Sequence, residues 1–435
     1  MKRKRIMIAA PGSGSGKTTV TCALLQALQE RGQQVISYKC GPDYIDPMFH
    51  EKVLGIASKN LDTFFTEERQ TRELFMANRR EQDFAVIEGA MGLYDGLGGI
   101  REEGSSYHLA KITKTPIVLV VDAKGMGRSV IALIAGFLSF DTEKLIRGII
   151  FNRMSKSWYE ILKPVAEKEL GIAVLGFFPE KKEYQIKSRH LGLVLPEEIE
   201  DIRKQIKEAA QLLERTVSIE SIMKIAEAVQ HLESTEALDA EEAIGLITAQ
   251  ADTGQKPVIA VARDEAFCFY YEDNLSLLEK YGAGLEYFSP IRDKALPEGC
   301  GGILLGGGYP ELYADRLSAN ASMRQAIKNA FESGMPMVAE CGGFLYLHRE
   351  MQTKNGTIYP MVGILPGKCR DMGKSMRFGY MEIREKKSCF LPENTCIKGH
   401  EFHYFESSDN LVFKDGINEF KKRLFDYRGK LTRII

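Results

Sequence analysis

Two open, doubly wound α/β sheets are predicted for this chain. Short runs rich in Ile, Val and Phe alternate with longer segments of helical composition, a rhythm that indicates parallel strands covered by helices. The first run flows directly into a glycine-rich loop, APGSGSGKTT, which is the place where such sheets bind ligands. The rhythm then stops at an acidic, breaker-rich stretch, STEALDAEEAIGLITAQADTGQKP, and starts again. At 435 residues the chain is too long for one ordinary core, so two domains of roughly 200 residues each are expected. The predicted division is 1–232, a linker over 233–255, and 256–435.

The strands of the first domain are expected at 5–10, 34–39, 84–88, 116–122, 147–152 and 173–178, with one or two closing helices over 200–232. Those of the second are expected at 257–262, 285–288, 301–308 and 335–341. The opening MKRKRIMIAAPG has a basic cluster before an apolar run, but that run spans only Ile6 to Ala10 and reads as a strand, not a signal sequence. No apolar stretch approaches the ~20 residues needed to cross a bilayer, and a cytoplasmic protein is expected. Lys plus Arg number 58 against 59 Asp plus Glu, a balance that argues against nucleic-acid or membrane-surface partners and favours small molecules. The eight cysteines contain no CxxC pair, so neither a zinc knuckle nor a disulfide scaffold is indicated. A homodimer stays open.

The loop is a partial match to GxxxxGK[ST], because Pro11 stands at its first position. Gly12, Gly14 and Gly16 still permit a backbone whose N–H groups turn inward on phosphate at a helix N-terminus, with Ser13, Ser15 and Thr19 in the same cradle. Lys17 is expected to reach the outer phosphates of ATP and Thr18 to ligate Mg²⁺. Glu88 ends an apolar strand, an expensive place for a carboxylate unless it faces metal or phosphate, and Asp95 follows it. A second strand ends at Lys39 and supplies Asp43, Tyr44 and Asp46, a cluster that could hold Mg²⁺ or recognise substrate.

In the second domain, AECGGFLYL sets Cys341 between an apolar strand and two glycines that open a helix-like run. That is the geometry of a nucleophile elbow carrying sulfur, and the helix start is expected to lower the thiol pKa. The Gly342 N–H is the expected first oxyanion donor, with the second from Gly307 or Gly308 in LGGGYPEL. GHEFHYFE supplies His400 and His403, which lie on opposite faces of a strand, so one of them is the expected base.

Taken in order, APGSGSGKTT, KCGPDYIDPMFH, EGAMGLYDG, VVDAKGMGRS, RHLGLV, IAVARDEAFCFYYEDNL, LLGGGYPELYA, AECGGFLYL and GHEFHY resemble the motifs of the cobyrinate a,c-diamide synthase family, over nearly the whole chain. The resemblance implies a dethiobiotin-synthetase-like, P-loop NTPase-like ATP domain joined to a class I glutamine amidotransferase-like domain of the Cys-His type. It implies amidation of the a and c acetates of cobyrinate in cobalamin biosynthesis, with ATP, Mg²⁺ and L-glutamine. By the resemblance, Lys17, Thr18 and Glu88 match phosphate and Mg²⁺ positions, Lys39, Asp43, Asp46 and Asp95 match substrate-proximal motifs, and Asn152 sits where related ATPases recognise adenine. His108 and His190 fall in motifs that line the substrate pocket. Phe402-His403 matches the family's histidine better than His400 does; the acid usual two residues later is replaced by Phe405, and a role for Glu406 in orienting the ring stays open. Two other readings stay open as well: a diamide synthase of another tetrapyrrole (nickel-sirohydrochlorin or hydrogenobyrinate), and a non-catalytic ATP-driven switch of the partitioning type.

Overall fold

The computed structural model describes residues 3–77, 83–184, 196–229, 232, 256–384 and 394–408. It divides into two compact units, residues 1–238 and 239–435. The expected linker, 233–255, lies outside the described residues, as does His190.

The strands of the first unit are β1 (Arg5–Ala9), β2 (Val35–Cys40), β3 (Ser58–Leu61), β4 (Phe84–Glu88), β5 (Ile117–Asp122), β6 (Ile146–Asn152) and β7 (Val174–Phe178). They form one seven-stranded sheet in the order β3-β2-β4-β1-β5-β6-β7, and every ladder is parallel. Helices α1 (Lys17–Glu30), α2 (Ile45–Leu54), α3 (Glu68–Ala77), α4 (Ser106–Thr113), α5 (Ser129–Phe140), α6 (Lys156–Leu170), α7 (Pro196–Thr216) and α8 (Ile219–Glu227) make the crossovers and close the unit. Each of the six expected runs is a strand. The additional one, β3, reads SKNL, and it lies at the sheet edge where a strand has no need of two apolar faces.

Alternation along β1 explains why the sheet is covered on both sides. Ile6 and Ile8 pack with Val20, Leu24 and Phe49 on one face, while Met7 and Ala9 pack with Tyr38, Phe75 and Tyr107 on the other. Each large apolar side chain buried this way contributes roughly 1.5–3 kcal/mol. The register then places the chemistry: Ile8 lies opposite Glu88, and Glu88 lies opposite Lys39. The glycine loop therefore leaves the central strand at the same sheet end where the two charged residues stop theirs.

In the second unit come β8 (Val258–Ala262), β9 (Phe267–Phe269), α9 (Glu272–Lys280), β10 (Gly284–Phe288), β11 (Gly302–Leu305), β12 (Gly307–Gly308), α10 (Ala314–Ala319), α11 (Ala321–Glu332), β13 (Met337–Ala339) and α12 (Gly342–Tyr346). The sheet β10-β8-β11-β13 is parallel throughout, so the four expected runs each hold one of its strands. Then follow β14 (His348–Gln352), β15 (Ile358–Pro360), β16 (Leu365–Asp371), β17 (Arg377–Arg384), β18 (Cys396–His403) and β19 (Phe405–Ser407). A mixed sheet runs β15-β14-β16-β19, and β17 pairs antiparallel with β18. Among the described residues no helix is long and apolar enough to cross a membrane.

Candidate active sites

The loop between β1 and α1 is built on left-handed glycines, Gly14 at φ 75° and Gly16 at φ 86°. Gly16 also admits a close neighbour, since a Cβ there would lie 2.2 Å from Asn152 Nδ2. Asn152 donates that amide to the Ser15 carbonyl at 2.7 Å, so the residue expected at adenine braces the loop backbone. Arg153, at φ 56°, pairs with Asp122 and donates to the Gly14 carbonyl at 3.2 Å. Lys17 is buried and its Nζ donates to the carbonyls of Gly12, at 3.2 Å, and Met91. Burial, with Lys39 nearby, lowers its pKa to about 8.

Glu88, Lys39 and Asp46 form a buried cluster beside that loop. Thr18 Oγ1 donates to Glu88 Oε1 at 2.7 Å, Lys39 Nζ lies 3.2 Å from the same oxygen, and Lys39 also pairs with Asp46. Burial raises Glu88 to about 7 against the pull of Lys39. It opposes the charge of Lys39 too, yet Glu88, Asp46 and Asp43 together hold the ammonium well above its ordinary range. For Asp46, burial is outweighed by Lys39 and the carboxyl sits below its usual range, while burial and Asp46 raise Asp43. Asp46, expected at the metal, thus commits an oxygen to Lys39.

The cluster fits a shared divalent cation better than an all-protein cage. Among the described residues no group of three or more His, Cys, Asp or Glu could hold a metal alone. Glu88 Oε2, however, is buried without a hydrogen-bond partner, and Thr18 and Glu88 already touch. Mg²⁺ usually takes one or two protein oxygens and completes its shell from phosphates and water.

Around this centre, Asp43 caps the start of α2 by accepting from Ile45 N at 2.9 Å, and Tyr44 is the half-buried residue before that helix. Asp95 accepts from Gly92 N at 2.9 Å and so holds the turn whose Met91 carbonyl receives Lys17. His108 Nδ1 accepts from Gly104 N at 3.3 Å and lies 3.1 Å from Thr63 Oγ1. Sequence reasoning assigned nothing to His50 or Arg153. His50 had a usable signal, since it lies four residues beyond Asp46 on α2 and so shares its face.

In the second unit Cys341 stands between β13 and α12 at φ 45°, ψ −106°, a strained backbone typical of a nucleophile on a sharp turn. The main-chain N–H groups of Gly342 and Gly308 are turned toward the sulfur and favour its anionic form. Gly307 instead faces Phe269 in the β9–β12 pair. Neither donor glycine tolerates a side chain: a Cβ on Gly308 would lie 2.1 Å from the Ala266 carbonyl, and one on Gly342 would lie 2.9 Å from Pro310 Cδ. The thiol pKa runs against expectation. Although the residue keeps exposed surface, protein walls around the sulfur push it up to about 11, helped by the charge of Glu311; a five-residue helix and two amides do not offset this. Burial also raises Glu340 and Glu311 to about 7.

His403 ends β18, and its Nδ1 lies 2.7 Å from the Phe405 carbonyl. A carbonyl only accepts, so Nδ1 carries the proton and Nε2 presents its lone pair. The main chain of residue 405 therefore orients the ring, and Glu406 lies in register with Arg370 on the strand beyond. Phe405 lies opposite Asp371 on β16. His400 faces Tyr380 on the same hairpin.

Two expectations follow. Nucleotide phosphates should restore Lys17 to its charged form. Below pH 8 the lysine is already protonated and contributes no pH dependence; above it, binding must take up a proton, so ADP affinity should fall by up to about tenfold per pH unit. Calorimetry in two buffers of different ionisation enthalpy should register that uptake between about pH 8 and 9, and none if Lys17 is uninvolved. Gly308→Ala should lower glutamine hydrolysis by about 10²–10³-fold in kcat, as for loss of one oxyanion donor; a steady-state glutaminase assay checks this.

Residues 6–194 match the CobQ/CobB/MinD/ParA nucleotide binding domain family, and residues 258–416 match the CobB/CobQ-like glutamine amidotransferase domain family. Cobyrinate a,c-diamide synthase of Caldanaerobacter subterraneus subsp. tengcongensis is 40% identical over 400 residues, covering 92% of this chain and 85% of that protein. The protein of that name from Priestia megaterium is 37% identical over 406 residues, covering 93% and 86%. Against a phosphate loop in one unit and a cysteine elbow in the other, these matches fix the assignment: the chain belongs to the cobyrinate a,c-diamide synthase family and is a nucleotide-using, glutamine-dependent, amide-forming ligase.

Proposed function

We propose that the chain amidates the a and c acetate carboxylates of cobyrinate, drawing nitrogen from glutamine and driving each amidation through an acyl phosphate made with ATP. The name shared by relatives at 36–40% identity supports the substrate. The observation that carries the chemistry is the juxtaposition of Lys17, Lys39, Thr18 and Glu88 at one sheet end. Activation falls to residues 1–232 and glutamine hydrolysis to residues 256–435.

A carboxylate resists ammonia because oxide is a poor leaving group, so its oxygen must first become part of a mixed anhydride with phosphate. The acetate oxygen attacks the γ-phosphorus and ADP leaves. Lys17 and Lys39 neutralise charge on the transferring group, which makes this step chiefly one of positioning and electrostatics. Lys39 suits the role because its carboxylate neighbours keep it protonated. Thr18 and Glu88 would hold Mg²⁺, which would supply Lewis-acid withdrawal of charge from the transferring phosphate. Asp46 keeps Lys39 in place, and Asp43, Tyr44, Asp95 and His108 border the acid to be activated.

At the second site Cys341 rests as a thiol, and His403 Nε2 is the base. As Cys341 Sγ attacks the glutamine amide carbon, its proton passes to His403 Nε2 and then to the departing ammonia. The N–H groups of Gly342 and Gly308 receive the oxyanion, and water attack on the thioester releases glutamate. Ammonia then displaces phosphate from the acyl phosphate and forms the amide.

Purified protein incubated with cobyrinate, ATP and glutamine should yield two successive products by mass spectrometry, each with one hydroxyl replaced by an amino group. Cys341→Ala should reduce the glutamine-fed reaction by at least about 10³-fold while sparing the reaction fed with ammonia. Lys17→Ala should reduce both by roughly 10²-fold or more. If both donors fail with Cys341→Ala, or neither suffers with Lys17→Ala, the division of labour is wrong.

A further inference from the structure

Two buried polar atoms beside the phosphate loop take no part in the steps above. His50 lies on α2 and is fully buried. Its Nδ1 is 2.9 Å from Ser37 Oγ and 3.5 Å from Ser58 Oγ. At the other end of the ring, Nε2 has no hydrogen-bond partner, and Glu88 Oε2 faces it at 3.6 Å, equally buried and equally unpartnered. That separation is too long for a hydrogen bond and too short to hold a water between the two atoms.

The tautomer follows from the partners. A serine hydroxyl can donate or accept and so suits Nδ1 in either tautomer, whereas the ionised carboxylate facing Nε2 can only accept, which places the ring proton on Nε2. The other groups packed around Glu88 approach its opposite oxygen: Thr18 Oγ1 at 2.7 Å and Lys39 Nζ at 3.2 Å both sit on Oε1. A shift of about half an ångström brings Oε2 within hydrogen-bond reach of Nε2. Glu88 then has one oxygen for a ligand and one for the histidine.

We propose that His50 is a positioning residue for Glu88, holding Oε2 through Nε2–H so that Oε1 is preset for the divalent cation shared with nucleotide phosphates. The proposal rests on the reading of Glu88 as a cation ligand. A partner behind a ligating group typically tunes metal affinity or activity by 10–100-fold.

The test uses the full chain with ADP, and Mn²⁺ as the probe, titrated by electron paramagnetic resonance. His50→Leu should weaken Mn²⁺ binding to the ADP complex by about 10-fold or more, and should raise by a similar factor the Mg²⁺ needed for half-maximal amidation. His50→Gln places an amide donor near the Nε2 position and should recover most of the affinity; His50→Asn can still reach the serines but not Glu88, and should behave as His50→Leu does. Wild-type Mn²⁺ affinity in His50→Asn, or equal affinities in the Gln and Asn variants, overturns the proposal even if His50→Leu fails to fold. Glu88→Gln separates the two levels: if it loses Mn²⁺ while the His50 variants keep it, only the positioning role falls. If Glu88→Gln binds Mn²⁺ as the unmodified chain does, the ligand reading falls and takes this proposal with it.

Discussion

Glu88 is a carboxylate with no access to water at the end of a central strand, and much of the nucleotide half is arranged around it. An uncompensated buried anion costs several kcal/mol. Lys39 supplies the compensation, and it can do so because parallel register sets it directly across from Glu88 on the neighbouring strand. That ammonium needs further anions to remain charged, and α2 supplies Asp46 from its first turn. The arrangement is therefore a chain of mutual requirements, in which removing any one charge strands the next. Such clusters contribute little net stability, and their persistence points to use.

The two halves solve a common problem with one device. Each lets a buried parallel strand run into a turn too tight for ordinary side chains, so that backbone amides face a reacting group. The electrostatics differ. In the first half, cations gather where negative phosphate must go. In the second, the surroundings of Cys341 resist negative charge, since the walls around the sulfur and Glu311 both favour the thiol.

Much of this was legible in the residues. Strand positions followed from runs of β-branched residues, and the glycine spacing around Lys17 and Cys341 identified both turns. The edge strand SKNL was not legible, because an edge carries no apolar signature. The thiol pKa was misjudged since the one-dimensional pattern displays the helix start but not the walls or Glu311, which comes thirty residues earlier in the chain. Asp46 could be picked out as an acid following a strand, and Asn152 through the family resemblance, but their hydrogen-bond partners belong to three-dimensional contacts. His50 went unassigned because a lone histidine in an apolar helix usually just packs; only the orphan atoms facing each other set it apart.

The support behind the imidazole of His403 comes from the peptide of residue 405, not from its side chain. Phe405 is free to turn inward, where it is buried in the hydrophobic core of its unit. Every amino acid carries the same carbonyl, so substitutions at this position are screened by how well they fill space, and the hydrogen bond itself cannot be deleted by a change of residue type. The partner that orients this histidine thus lies in the polypeptide itself, where a search for acidic letters passes over it.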